Sequence, residues 1–125
     1  TITKFRKEVQ FDKTIKKSVI NAELKNGWYN VSDEKSPLRF FKDVQGVVHL
    51  NGRIKGGTTK WGTTIFTLPE GFRPKHLTYG KVSLDNYEIG HVRIEISGDV
   101  RRSGGTEEEW KKWACFDGIT FFTEE

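Results

Sequence analysis

The clearest pattern in the chain is the alternation of Gly90-His91-Val92-Arg93-Ile94-Glu95-Ile96. Successive side chains of a β-strand point to opposite faces. Val92, Ile94 and Ile96 are therefore expected on a buried face, and His91, Arg93 and Glu95 on the opposite one. Shorter runs of the same texture flank it. Trp28-Tyr29-Asn30-Val31, Arg39-Phe40-Phe41-Lys42, Val47-Val48-His49-Leu50, Arg53-Ile54-Lys55, Thr63-Thr64-Ile65-Phe66-Thr67-Leu68, Lys81-Val82-Ser83-Leu84 and Val100-Arg101-Arg102 each predict a strand. They are rich in the β-branched and aromatic residues that fit a pleated, half-buried surface.

Turn residues separate these runs. Asn26-Gly27, Asp43-Val44-Gln45-Gly46, Gly56-Gly57, Asp85-Asn86 and Gly98-Asp99 are turns, and Asn51-Gly52 reads as a tight hairpin. Pro69-Glu70-Gly71-Phe72-Arg73-Pro74 reads as a rigid corner, because proline fixes φ and removes a ladder donor. Residues 110–122 are expected to close the domain with one or two strands around Asp117-Gly118. Turns recur at roughly 8–12 residues, the spacing of a β-sandwich or closed β-barrel. No helix is predicted. Glu107-Glu108-Glu109-Trp110-Lys111-Lys112-Trp113 is read as a polar loop running into a strand, in preference to one helical turn.

Residues 1–25 differ from the rest. They are Lys-rich, lack Gly and Pro, and space their apolar residues widely: Phe5, Val9, Phe11, Ile15, Val19 and Leu24. Val9-Gln10-Phe11 alternates, which favours extended structure. One thin apolar stripe cannot bury itself, so the segment needs copies of itself or the rest of the domain. It is read as a neck or linker (1–25) ahead of a β head (26–125).

The length of 125 residues suits one domain with its own core. Met is absent even at position 1, so a piece of a longer polypeptide is expected. The net charge of +4 is a mild excess, and its nearest approach to a cluster is Lys13, Lys16 and Lys17. Nucleic acid is therefore not an expected partner. No apolar run approaches the roughly 18 residues that span a bilayer, so no membrane insertion is expected.

The search for catalytic chemistry returns little. Nucleophile-elbow and phosphate-loop motifs are absent. The single cysteine, Cys115, lies in an apolar run and reads as a buried, inert thiol. His49, His76 and His91 form no ligand-spaced pair, so neither metal nor cofactor is expected, and His49 reads as a satisfied structural histidine. Asp85 with Glu88, or Asp99 with Glu95, could be posed as glycosidase carboxylates. Acidic residues at turns more often bond the local backbone, and no enzyme is expected.

The aromatic residues say more. Trp61 lies beside glycines, Trp110 follows an acidic loop, and Tyr79 and Tyr87 adjoin Gly80 and Asn86. A ring on a loop can stack on the apolar face of a sugar while nearby polar groups bond its hydroxyls. Covering a core edge or a subunit seam is the plainer use of any one ring. Trp61, Tyr79, Asp85, Tyr87, His91, Arg93 and Trp110 are the expected ligand surface.

Several motifs in order resemble the C-terminal head domains of tail-fibre, baseplate and receptor-binding proteins of tailed bacteriophages. They are Leu24-Lys25-Asn26-Gly27-Trp28, Arg39-Phe40-Phe41-Lys42-Asp43, Gly46-Val47-Val48-His49-Leu50-Asn51-Gly52, Ile65 through Leu68-Pro69-Glu70-Gly71-Phe72-Arg73-Pro74, and Trp113 through Phe121. The stretch 46–74 is the most specific, and the resemblance covers roughly residues 24–122. It implies an all-β sandwich or barrel head after an intertwined neck, assembled as a homotrimer in the virion at the tail tip. It also implies attachment to a host cell-surface saccharide, with other tail or baseplate proteins on the N-terminal side. What transfers residue by residue is structural: Pro69, Gly71, Arg73 and Pro74 as the corner, and Asn26-Gly27-Trp28 as the start of the head.

Overall fold

The computed structural model describes residues 19–123. The apolar alternation builds eleven short strands in this range: β1 (Ile20–Asn21), β2 (Tyr29–Asn30), β3 (Arg39–Lys42), β4 (Val47–Asn51), β5 (Arg53–Lys55), β6 (Thr64–Thr67), β7 (Thr78–Leu84), β8 (Ile89–Ile94), β9 (Asp99–Arg102), β10 (Ala114–Cys115) and β11 (Ile119–Phe122). They form a four-stranded sheet, β1-β3-β4-β11, and a seven-stranded sheet, β2-β5-β10-β7-β8-β9-β6, one of which curls into half a barrel. All pairings are antiparallel. The inner faces meet in a core that includes Phe40, Leu50, Ile54, Phe66, Val92 and Phe116. Phe40 stacks on Phe66 with ring centroids 6.0 Å apart, so aromatic packing joins one sheet to the other.

Most predicted runs become strands, with three corrections. Asn51-Gly52 is not a hairpin. β4 already has β3 and β11 on its two sides, so β5 cannot pair with it. The chain instead crosses from one sheet to the other at Gly52, whose φ of +126° an L side chain rarely adopts. A second crossing joins β10 to β11 through Asp117 and Gly118, and the two are bolted together. The Gly52 N–H donates to Asp117 Oδ1 at 2.8 Å, and the Phe116 N–H to the Gly52 carbonyl at 2.8 Å.

Second, Ile96 does not join Val92 and Ile94 inside. β8 ends at Ile94, the Gly98 N–H donates to the Glu95 carbonyl in the following turn, and Ile96 is exposed. Third, Glu107–Trp110 is a helical turn, α1. A reciprocal capping box starts it: the Thr106 hydroxyl accepts from the Glu109 N–H, and the Glu109 carboxylate accepts from the Thr106 N–H.

The Pro69 to Pro74 corner forms as expected. The Phe72 N–H donates to the Pro69 carbonyl, Arg73 Nε donates to the Leu68 carbonyl at 2.9 Å, and Lys42 Nζ reaches the Gly71 carbonyl at 2.7 Å. Of the segment read as neck, residues 1–18 lie outside the described residues. Residues 20–25 are tied to the rest of the described residues. Ile20 and Asn21 pair with Phe40 and Arg39, the Lys25 N–H donates to the Ile65 carbonyl, and Ala22 and Leu24 pack on the core.

Candidate ligand-binding face

The outer face of the seven-stranded sheet carries a row of polar and aromatic side chains. In β7, β8 and β9 the small and apolar residues Gly80, Val82, Val92, Ile94 and Val100 turn inward and are buried. Tyr79 and Lys81, His91 and Arg93, and Arg101 therefore turn outward. The register aligns them: Tyr79 opposes Arg93, Arg93 opposes Arg101, and Lys81 opposes His91. The loop between β5 and β6 extends this row. Its turn at Lys60, Trp61 and Gly62 is pinned to β9 by the Gly62 N–H on the Arg102 carbonyl and the Arg102 N–H on the Thr63 carbonyl. Trp61 projects from it, 61% exposed.

Trp61, Gly62, Arg93, Glu95, Ser97 and Arg101 line a cleft of about 360 Å³. Its charges hold one another. Glu95 Oε2 lies 3.3 Å from Arg93 Nη2 and 3.8 Å from Arg101 Nε, and Arg101 Nη2 lies 3.3 Å from Asp99 Oδ2. Arg101 Nη1 also donates to the Gly62 carbonyl at 3.1 Å. Partly exposed ion pairs of this kind contribute about 0–1 kcal/mol each to stability. Their larger effect is to fix long side chains in one arrangement, which lowers the ordering cost of binding. The Arg93 Nε is buried without a partner. The result is an exposed indole beside a preset array of guanidinium donors and carboxylate acceptors, which suits a hydroxylated ligand.

The expected site residues divide into three groups. Trp61, Tyr79 and Arg93 lie along one row of this face, with His91 one row away and partly covered by the loop at Gly104. Asp85 and Tyr87 lie at the far end of the β7–β8 hairpin, where Asp85 Oδ2 pairs with Lys112 Nζ at 3.3 Å and Tyr87 is fully exposed. Trp110 is a correction: it is fully buried. Its ring meets Trp28 edge to face at 6.0 Å, and its Nε1 donates to the Gly104 carbonyl at 2.8 Å. The capped turn α1 swings it inward.

The expected ligand surface leaves out Arg101 and Ser97; Glu95 is expected on the outward strand face, and with Asp99 as a possible carboxylate pair. Arg101 carried a signal, since Val100 inward places Arg101 outward. Each of those carboxylates is committed to a guanidinium. His49 is satisfied: its Nε2 lies 2.9 Å from Asp43 Oδ2 and its ring stacks on Phe41 at 4.7 Å. Cys115 is half-buried, and burial pushes its thiol up. Among the described residues no group of three or more His, Cys, Asp or Glu could hold a metal ion.

The fold is that of an all-β, two-sheet domain carrying a polar, aromatic-rimmed outer face. Among solved structures it is similar to the crystal structure of the receptor binding protein (gp15) of Listeria phage PSA. The TM-score is 0.69 at 19% identity, over 98% of this chain and 77% of that one. No protein-family model and no curated protein matches the chain.

Proposed function

We propose that this chain is the receptor-binding head of a bacteriophage tail fibre or baseplate, and that it grips a saccharide on the host cell surface without reacting with it. The observation that carries this reading is the row formed by Trp61, Arg101, Arg93 and Tyr79 on one sheet face. A ring at each end can stack on sugar faces, and the guanidiniums between them can bond hydroxyls. The fold shared with a phage receptor binding protein supports the same reading.

A shallow cleft of this kind binds weakly, because few ligand atoms are buried and polar groups must shed water. Adhesion then requires repetition. The head acts as one third of a homotrimer at the tail tip, with its N-terminal side toward other tail or baseplate proteins. Three sites on one axis raise apparent affinity through effective concentration.

Native mass spectrometry followed by binding to immobilised bacterial surface saccharides tests this. A trimer that binds a saccharide is expected, with Trp61→Ala lowering apparent affinity about tenfold. A folded trimer that binds no saccharide but associates tightly with another virion protein would make the domain architectural. Release of reducing ends, abolished by Glu95→Gln, would make it a hydrolase.

A further inference from the structure

The edge of β7 and the chain from β10 to β11 are joined at two places and open between them. At one end Ala114 and Cys115 pair with Leu84 and Ser83, and at the other Pro74 bridges to Thr123. Between these points residues 79–83 of β7 and residues 117–120 line a groove of about 470 Å³, larger than the Trp61 cleft. Ile119 packs on Gly80 beneath it, so the groove has an apolar floor.

The strand ladder identifies the groups that open into this groove. The Leu84 N–H donates to the Glu88 carbonyl, on the β8 side. Main-chain groups alternate sides along a strand, so those of Ser83, Lys81 and Tyr79 face the groove. Ser83 meets Cys115 there; among the described residues Lys81 and Tyr79 have no strand partner on that side. On the opposite wall the Thr123 N–H donates to the Gly46 carbonyl, on the β4 side, which directs the Thr120 main chain to the groove. Donors and acceptors thus line both walls. Tyr79 stands at the mouth, 56% exposed, and also opposes Arg93 in the row that leads to the Trp61 cleft.

We infer that this seam is a second saccharide subsite, joined to the Trp61 cleft at Tyr79, and that the ligand is an extended oligosaccharide bent over that ring instead of a single terminal sugar. The inference rests on the saccharide reading above. Each hydroxyl of such a chain both donates and accepts, which matches mixed main-chain walls better than a purely anionic or apolar ligand would. The dimensions agree. Tyr79 to Ser83 spans about 13 Å along the strand, and Tyr79 to Arg101 crosses two strand spacings, about 10 Å. A pyranose ring is shorter than either.

The test uses surface polysaccharide from a bacterial strain that the whole protein binds, cut by partial hydrolysis into fragments graded from monomer upward. Each fraction competes with labelled protein for cells. Potency is expected to rise roughly tenfold or more from the shortest fragments to those that reach both clefts, then level off. Thr120→Trp, at an exposed strand position on the groove wall, should remove the advantage of the long fragments; Thr120→Arg is a second block if the first melts early. Equal potency of short and long fragments, or an unchanged length dependence in a folded blocking variant, overturns the seam subsite and leaves the Trp61 cleft standing. Failure of every fragment to compete overturns the saccharide reading itself.

Discussion

The carboxylate of Asp43 accepts from three donors at once. Oδ1 takes the Gln45 and Val47 N–H groups at 2.9 and 3.0 Å, and Oδ2 takes His49 Nε2 at 2.9 Å. The bond from His49, helped by the two backbone donors, holds this carboxyl below its ordinary value. A group depressed in the folded state adds stability above its unfolded pKa and loses it as pH falls through the folded one. Asp43→Ala is therefore expected to cost about 1–2 kcal/mol at neutral pH. In urea unfolding, the gap between wild type and variant should narrow below about pH 4. A gap that ignores pH would show that the ionised carboxylate is not what closes the β3–β4 turn. Residue-scale features of this sort were partly legible in the sequence. Asp43 followed by Gly46 announced a turn, and the alternation around Val92 placed His91 and Arg93 outside. The burial of Trp110 was not legible, because a loop aromatic and a core aromatic look alike until the capping pair Thr106 and Glu109 is weighed. That pair was present as a Thr-x-x-Glu spacing and was the signal to use.

Strands were easier to find than their partners. Arg39–Lys42 is a strand over the residues its pattern predicted, yet the same reading joined β4 to β5 as a hairpin. An Asn-Gly pair bends the chain sharply in either case; whether it returns along its own sheet or leaves for the other depends on which edges are already occupied. Here β11, some 70 residues later in the chain, occupies the edge that β5 would need. The crossing makes a direct prediction. A Cβ on Gly52 would lie 2.4 Å from both Leu38 Cα and the Pro37 carbonyl, whereas one on Gly62, with φ of +85°, would meet nothing within 4 Å. Gly62→Ala should cost about 1 kcal/mol from backbone strain alone. Gly52→Ala should cost about 3 kcal/mol or more, or prevent folding, because strain and overlap combine. Equal losses in denaturant titrations would mean that the crossing is not tightly packed.

At the scale of the whole molecule, the two sheets pack on one core, and the proposed binding face is the outer face of the larger one. The row of Trp61, Arg101, Arg93 and Tyr79 draws on β7, β8, β9 and a loop pinned to β9, so its geometry is inherited from the ladder. The fold class was legible from turn spacing and alternation. Which polar residues share a face followed only once the strand order was known. The central claim is that this face holds the host cell. Its most direct test is adsorption of fluorescently labelled protein to a panel of bacterial strains, comparing wild type with Trp61→Ala, Arg93→Ala and the control Val44→Ala, which alters an exposed apolar residue far from the row in sequence. The account predicts strain-selective binding by wild type and by Val44→Ala. It predicts loss of most of that binding in the other two variants, with all four proteins equally folded. Full cell binding by folded Trp61→Ala and Arg93→Ala would contradict it.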